Sequence, residues 1–277
     1  MKIDERAIVS SKAILGAGVE IGPYSIIGDN IKIGENTIIG SHVNIEGWTE
    51  IGSNCRIYTG AVVGTAPQDL KYKGDKSYVV IGDNTILREY VTINRPTTPE
   101  GTTVIGKNVF LMAYAHVAHD CTIGHDVVIA NSVGLSGHVT VGEKAVLGGF
   151  VGVHQFVRIG KLAMVGGYTK LVQDVVPFMM VDGQPASVYG INVHGLRRQK
   201  IPSDVRNDLK YANTILFRSK LNLSQAVEKI KTEIKHSEEI RNILKFLETP
   251  SRQGILTRIR KSENKFPLEQ EFTDGMV

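Results

Sequence analysis

From Ile21 to Glu50 the chain reads IGPYSI IGDNIK IGENTI IGSHVN IEGWTE, five consecutive hexads that each open on isoleucine. The same register runs back to Ile3 and on to Val63. It resumes at Ile81, Leu87 and Ile93, then continues from Ile105 to Leu171. Of its 29 positions between 3 and 171, 26 are Ile, Leu or Val, and the exceptions are Asp69, Asp75 and Pro99. A helix needs a period of 3.6 and a lone strand a period of 2, so a period of six fits neither. It fits short strands joined by regular corners. Glycine follows the aliphatic residue in 14 of the 26 cases, and Asn or Asp recurs two residues later, as in Gly28-Asp29-Asn30, Gly34-Glu35-Asn36 and Gly82-Asp83-Asn84. Both residue types tolerate left-handed backbone. Three hexads then close a coil of 18 residues, which makes a parallel β-helix. Its roughly nine coils span about 40 Å at ~4.8 Å per coil.

Two breaks keep the six-residue phase and therefore read as loops extruded from corners, at about 65–78 and 95–103. The first holds Gln68-Asp69-Leu70-Lys71-Tyr72; the second is rich in Thr, Pro and Gly. Long loops on a rigid repeat are where function concentrates. The reading divides the chain into a β-helix over 1–190, a helical domain over 191–260 and a polar tail over 261–277. Within the helical domain, Ser203, Ser224 and Ser237 are placed to cap helices running to about Lys220, to about Lys235 and to just before Pro250.

Composition narrows the function classes. Hydrophobic residues make up 42% and charged residues 22%, a globular balance. The N-terminus runs into no apolar segment. The longest stretch free of polar side chains, 145–153, carries three glycines. Neither a secretory signal nor a membrane span is expected, and the protein reads as cytoplasmic. Cys55 and Cys121 are too few for a disulfide framework or a four-cysteine zinc site. Formal charge is −2 over residues 1–191, +9 over 192–265 and −3 over the last twelve. The basic segment points to an acidic partner, and no aromatic-rich recognition motif accompanies it to suggest nucleic acid.

Four of the eight histidines fall close together: His116, His119, His138 and His154. Adding 18 moves a residue one coil up the same side. His119 therefore lies beneath Gly137, with Gln155 above, and Asp120 lies beneath His138, with Phe156 above. None of these occupies an inward position, so they belong to an outer surface or a subunit interface. An imidazole beside a carboxylate suits general-base work, and the glycine above offers an uncrowded N–H to an oxyanion. Three readings fit: an acyltransferase with His119 as base, a zinc-dependent hydratase with histidines shared across a trimer interface, or a non-catalytic assembly prism.

The hexad pattern resembles that of the hexapeptide-repeat acyltransferases, whose coils are left-handed. Gln68–Tyr72, Ala115-His116-Val117-Ala118-His119-Asp120-Cys121, Leu135-Ser136-Gly137-His138, Val153-His154-Gln155-Phe156, Met164-Val165-Gly166-Gly167 and Asn192-Val193-His194-Gly195-Leu196-Arg197-Arg198 follow in order. That series, over about residues 3–260, is similar to the acyl-[acyl-carrier-protein]–UDP-N-acetylglucosamine O-acyltransferases that begin lipid A biosynthesis. The resemblance implies a homotrimer without cofactor or metal. It would move a 3-hydroxyacyl chain from acyl carrier protein to the 3-position of UDP-N-acetylglucosamine. It implies His119 as base, Asp120 orienting it, and Gly137 N–H holding the oxyanion. Asp69 and His116 would bind sugar hydroxyls, with His138 and Gln155 lining the sugar site. Lys71 would meet the phosphate or pantetheine, Asn192 and Arg198 the nucleotide, and Gly167 would measure acyl length. His194, Gln199 and Pro185 depart from the residues usual in that family. Some relatives make an amide on a 3-amino sugar, and nothing in the sequence separates the two acceptors.

Overall fold

Each of the 26 aliphatic register positions lies in a short strand, from Lys2–Ile3 to Lys170–Leu171, and all but Val63 and Ile93 close it. Strands pair in parallel with their counterparts one coil away: Ile3 opposes Ile21, Ile27 opposes Ile45 and Ile33 opposes Ile51. They form three faces. The first has 11 strands beginning at Lys2–Ile3, the second 9 beginning at Ile8–Val9, and the third 8 beginning at Ile14–Leu15. Across the extruded loops the pairing jumps, Ile51 to Ile81 and Ile81 to Ile105, so the coil closes as though the loops were absent. A computed structural model describes residues 1–260 in this form, a left-handed parallel β-helix with a C-terminal helical part. The polar tail expected at 261–277 lies outside the described residues.

The prism is filled by two columns, of which the register reveals one. Register residues from Ile21 to Leu171 are almost fully buried. Ile3 is 43% exposed because no coil lies beneath it. Four positions after each register residue a second inward column carries small side chains, among them Ser25, Thr37, Cys55, Thr85, Ala115, Cys121 and Ala145, all at 0–1% exposure. Its hydroxyls stay satisfied: Thr37 donates to Gly52 O at 2.8 Å and Thr85 to Gly106 O at 2.9 Å. Both cysteines are buried fillers of this column, and burial pushes the Cys121 thiol up to about 12.

The corners correct the expectation about glycine. The left-handed residue is the one three places after the register position: Asn36, Asn54 and Asn84 at φ 55–57°. The glycine after the register residue, except at Gly64 with its φ of 81°, is needed for a different reason. A Cβ on Gly22 would lie 2.7 Å from Gly40 O in the next coil. Asn30, read as a corner residue, begins the four-residue strand Asn30–Ile33 instead.

After the last rung, Met179–Asp182 adds in parallel to the first face and Ser187–Ile191 folds back antiparallel to it. Four helices follow: α1 (Val193–Arg198), α2 (Ser203–Arg218), α3 (Leu223–Glu233) and α4 (Glu238–Glu248). Ser237 caps α4 as read, but α3 is capped by Asn222 in a capping box with Gln225, not by Ser224. Pro202 precedes α2 without a side-chain cap. The chain then returns to the prism, where Ile255 bridges to Asp174 and Ile259 to Val188. Among the described residues, no helix is long and apolar enough to cross a membrane.

Candidate functional site

The corner between the second and third faces carries the site. Val117 points inward, and the chain turns through Ala118 and His119 to Asp120, whose φ of 59° is the left-handed corner value. That turn brings the Asp120 carboxylate back onto its neighbour, so that His119 Nδ1 lies 2.8 Å from Asp120 Oδ2. The same oxygen receives Thr97 N–H at 3.0 Å and the Thr97 hydroxyl at 2.9 Å. Burial alone would raise the Asp120 pKa, but hydrogen bonds from Thr98, His119 and Thr97 outweigh it and hold the group at about 2. Asp120 is therefore a carboxylate, which only accepts, and His119 Nδ1 must donate. In the neutral imidazole that bond leaves the lone pair on the other nitrogen, Nε2.

His119 is 7% exposed even in a single chain, less open than its outward register position suggests. It is pressed against Gly137 one coil above, where a Cβ would lie 2.3 Å from His119 Cε1 and 2.5 Å from Nε2. The Gly137 N–H meets no acceptor among the described residues. Above Asp120 the corner column continues as rings. His138 meets His119 edge-on at 5.3 Å, Phe156 stacks on His138 at 4.7 Å, and the Arg252 guanidinium lies 4.3 Å over Phe156. Burial lowers the His138 pKa; His119 and Arg252 lower it further, against the opposite pull of Asp120 and Asp69. His116, hydrogen-bonded to Thr92 Oγ1 at 2.7 Å, is also lowered, by burial and by His119. Both imidazoles are thus held neutral near pH 7.

A cleft of about 620 Å³ opens beside this corner, with Asp69, His116, His119, Gly137 and Gln155 on its walls. Sequence reasoning had no means of placing Thr92, Thr97, Arg252 or Gln253 here. Thr97 sits on an extruded loop, and Arg252 and Gln253 arrive on the segment that returns from the helical part. Gln253 donates to Gln155 O at 2.8 Å. Along the outer side of the second face, His116, Gly134, Gly152 and Lys170 stand in register. A Cβ on Gly134 or Gly152 would meet nothing within 4 Å. These glycines are not demanded by the chain's own packing. They keep a strip of the cleft wall open.

Not every expected residue gathers here. Lys71 is exposed on the loop, and only its backbone N–H turns inward, to Asp69 Oδ1 at 2.8 Å. Gly167 is exposed on the neighbouring corner, over Gly149. Asn192 is 8% exposed, and its carboxamide caps α1, accepting from Gly195 N at 3.0 Å and donating to Leu162 O at 2.9 Å. A nucleotide contact by Asn192 competes with that capping role. Arg198 projects from the exposed end of α1. Ligand atoms of His119, Asp120 and His138 lie within 4.8 Å of one another. A metal there would have to displace the bonds that His119 and Thr97 already make to Asp120.

The chain's relatives are consistent with this geometry. The family described as bacterial transferase hexapeptide (six repeats) matches residues 12–47, 30–65 and 102–137. The family described as Udp N-acetylglucosamine O-acyltransferase, domain 2, matches residues 174–256. The acyl-[acyl-carrier-protein]–UDP-N-acetylglucosamine O-acyltransferase of Thermodesulfovibrio yellowstonii is 49% identical over 255 residues, which cover 92% of this chain and 98% of that protein. Its namesake from Chlorobaculum tepidum is 54% identical over 245 residues, 88% and 93% of the two chains. Among solved structures, the Francisella novicida UDP-N-acetylglucosamine acyltransferase superposes with a TM-score of 0.90 at 38% identity, covering 99% of this chain and 100% of that one. LpxA from Acinetobacter baumannii gives 0.89 at 38% identity over 94% and 100%.

Proposed function

The chain belongs to the acyl-[acyl-carrier-protein]–UDP-N-acetylglucosamine O-acyltransferase family, and on that premise we propose how its residues carry out the transfer that begins lipid A biosynthesis. The 3-hydroxyl of UDP-N-acetylglucosamine attacks the thioester carbonyl of a 3-hydroxyacyl carrier protein. His119 Nε2 takes the hydroxyl proton as the new C–O bond forms, and the charge that develops on the imidazole is balanced by Asp120. The carbonyl oxygen becomes an oxyanion, met by the Gly137 N–H. When the C–S bond breaks, the carrier thiolate leaves and takes the proton from His119. Asp69 and His116 hold the acceptor sugar and Gln155 completes its wall; neutral His138, which does not line the cleft of one chain, packs edge-on against His119 at the same corner. The observation that carries this reading is the 2.8 Å His119–Asp120 bond, which leaves Nε2 as the free base on a cleft. The open strip at Gly134 and Gly152 suits an acyl tail laid against the second face, with Gly167 beyond it as the limit of length. On this reading Gly167→Met shifts preference toward shorter acyl chains, and an unchanged length profile removes the ruler.

Lys71, Asn192 and Arg198 do not line the cleft of one chain, so their contacts to phosphate and nucleotide require a neighbouring subunit. The outer side of the first face supports a homotrimer. It presents Ile38, Ile86, Phe110, Val128, Val146 and Met164. The adjoining corner adds the stacked pairs Tyr90–Tyr114 and Phe150–Tyr168. Sedimentation in solution tests this. The +9 segment recruits the acidic carrier in the cytoplasm. Incubating the protein with 3-hydroxyacyl carrier protein and UDP-N-acetylglucosamine should give the 3-O-acyl sugar nucleotide by mass spectrometry. A 3-amino sugar nucleotide tried in parallel separates ester from amide formation, and no product from either acceptor overturns the reading.

A further inference from the structure

The two extruded loops are locked to each other by a cluster that the mechanism above does not use. Arg95 opens the second loop with its guanidinium between two rings, 5.7 Å from the Trp48 centroid and 5.8 Å from that of Tyr72, both within cation–π reach. Its Nε donates to the Tyr72 hydroxyl at 3.2 Å and its NH1 to Gly64 O at 3.3 Å. Tyr72 in turn donates to Asp75 O at 2.7 Å. Lys76 lies over Trp48 and Tyr78 at 5.8 and 5.2 Å. Asn94 donates to Thr65 Oγ1 and Ala66 O, and Ser77 to Pro96 O. Both ends of the first loop, and its middle, are therefore tied to residues 94–96. The next residue, Thr97, makes its two bonds to Asp120.

We propose that Arg95 is the positioning residue of the acceptor loop: gripped between Trp48 and Tyr72, it fixes residues 66–77 so that Asp69 stands over the cleft, while Thr97 on the same short segment fixes the carboxylate that orients His119. The short segment thus has two separable tasks: Arg95 holds the acceptor loop, which sets where the sugar binds, and Thr97 holds the carboxylate of the base. The proposal rests on the reading of Asp69 as an acceptor contact. Arg95 touches no reacting atom and acts only through the loop.

Kinetics and the emission of Trp48, the single tryptophan of the chain, test it. Arg95→Gln should raise KM for UDP-N-acetylglucosamine about tenfold, with kcat within about twofold, from the loss of hydrogen bonds to a charged donor. Thr97→Val should do the reverse, lowering kcat with KM little changed. Tyr72→Phe, which removes only the phenol oxygen, should move KM in the direction of Arg95→Gln and serves if that variant does not fold. UDP-N-acetylglucosamine added without acyl donor should change Trp48 emission in the wild type, with weaker apparent affinity in Arg95→Gln. A folded Arg95→Gln or Tyr72→Phe variant with wild-type KM, or one whose kcat falls as much as Thr97→Val, overturns the proposal. If the wild type binds no sugar nucleotide and makes no product, the acceptor reading itself has failed. The clamp is then judged by trypsin cleavage after Lys71 and Lys73: faster cleavage in Arg95→Gln supports it, and unchanged cleavage refutes it.

Discussion

Two corners of the prism share one backbone and differ in everything else. Between the third and first faces, Asn36, Asn54, Asn84 and Asn108 take the left-handed slot at φ 55–57°; between the second and third, Asp120 and His138 take it at 59° and 58°. Asparagine is the low-cost non-glycine residue for that conformation, because its side chain bonds locally. Aspartate and histidine share part of that tolerance, whereas a phenyl ring, as at Phe156, has no such compensation. The asparagine corner thus shows what the fold requires of the slot. The histidine corner shows what is placed there when the requirement is only geometric direction. A slot that aims one side chain outward per coil, about 4.8 Å apart, can stack a carboxylate, an imidazole and a phenyl ring in a line. His119 enters that line from the side.

The sharpest way to break the comparison is to remove the base. His119→Ala should lower turnover roughly 10²–10⁴-fold, the range for a lost general base, while the protein stays folded. Near-normal turnover in the folded variant would return both corners to structural status. Gly137→Ala should follow at about 10²-fold. Its Cβ would fall 2.3 Å from the His119 ring, so the ring must turn away from Asp120. A variant as active as the wild type would show that the ring's position does not matter.

Acid titration separates the corners next. The Asp120 pKa is about 2 in the folded chain against an ordinary 3.8. The depressed value contributes about 2 kcal/mol of stability, fully present above pH 3.8 and lost as pH falls toward 2. Denaturant unfolding of Asp120→Asn should show a shallower pH dependence than the wild type between pH 5 and 3. Equal slopes would mean that the bonds from Thr97 and His119 do not persist in solution.

The difference between the corners was partly legible in the residues alone. The period of six exposed the inward rungs, and the spacing of 18 put His119 under Gly137 and Asp120 under His138, because both follow from a rule repeated along the chain. The second inward column escaped notice because its members, Ser, Thr, Ala, Val and Cys, share only small volume. The glycine after a rung was assigned to left-handed backbone; Gly64 takes it, at φ 81°, but at Gly22 and Gly34 the reason is clearance from the next coil. Thr97, Arg95 and Arg252 obey no period; their places are set by loops and by a returning segment that tertiary packing alone fixes. Asn192, three residues before Gly195, carried a helix-cap signal that the nucleotide reading passed over.

The smallest expected effect is the most specific to the comparison. At Asn84 the slot has no catalytic neighbour, and its backbone N–H to Ser53 O, 2.9 Å, survives any side chain that keeps the turn. Asn84→Gly should therefore change stability by no more than about 0.5 kcal/mol, since glycine enters left-handed backbone freely. Asn84→Ala should cost about 1–2 kcal/mol, because alanine does not. Turnover should be untouched in both. Asp120→Gly relaxes the same slot in the same way, yet it removes the acceptor for His119 and Thr97, so it should fold and fail to turn over. Chemical denaturation and initial rates on the three variants decide the matter. If Asn84→Gly lost activity, or Asp120→Gly kept it, the identical backbone of the two corners would no longer separate what the fold needs from what the reaction needs.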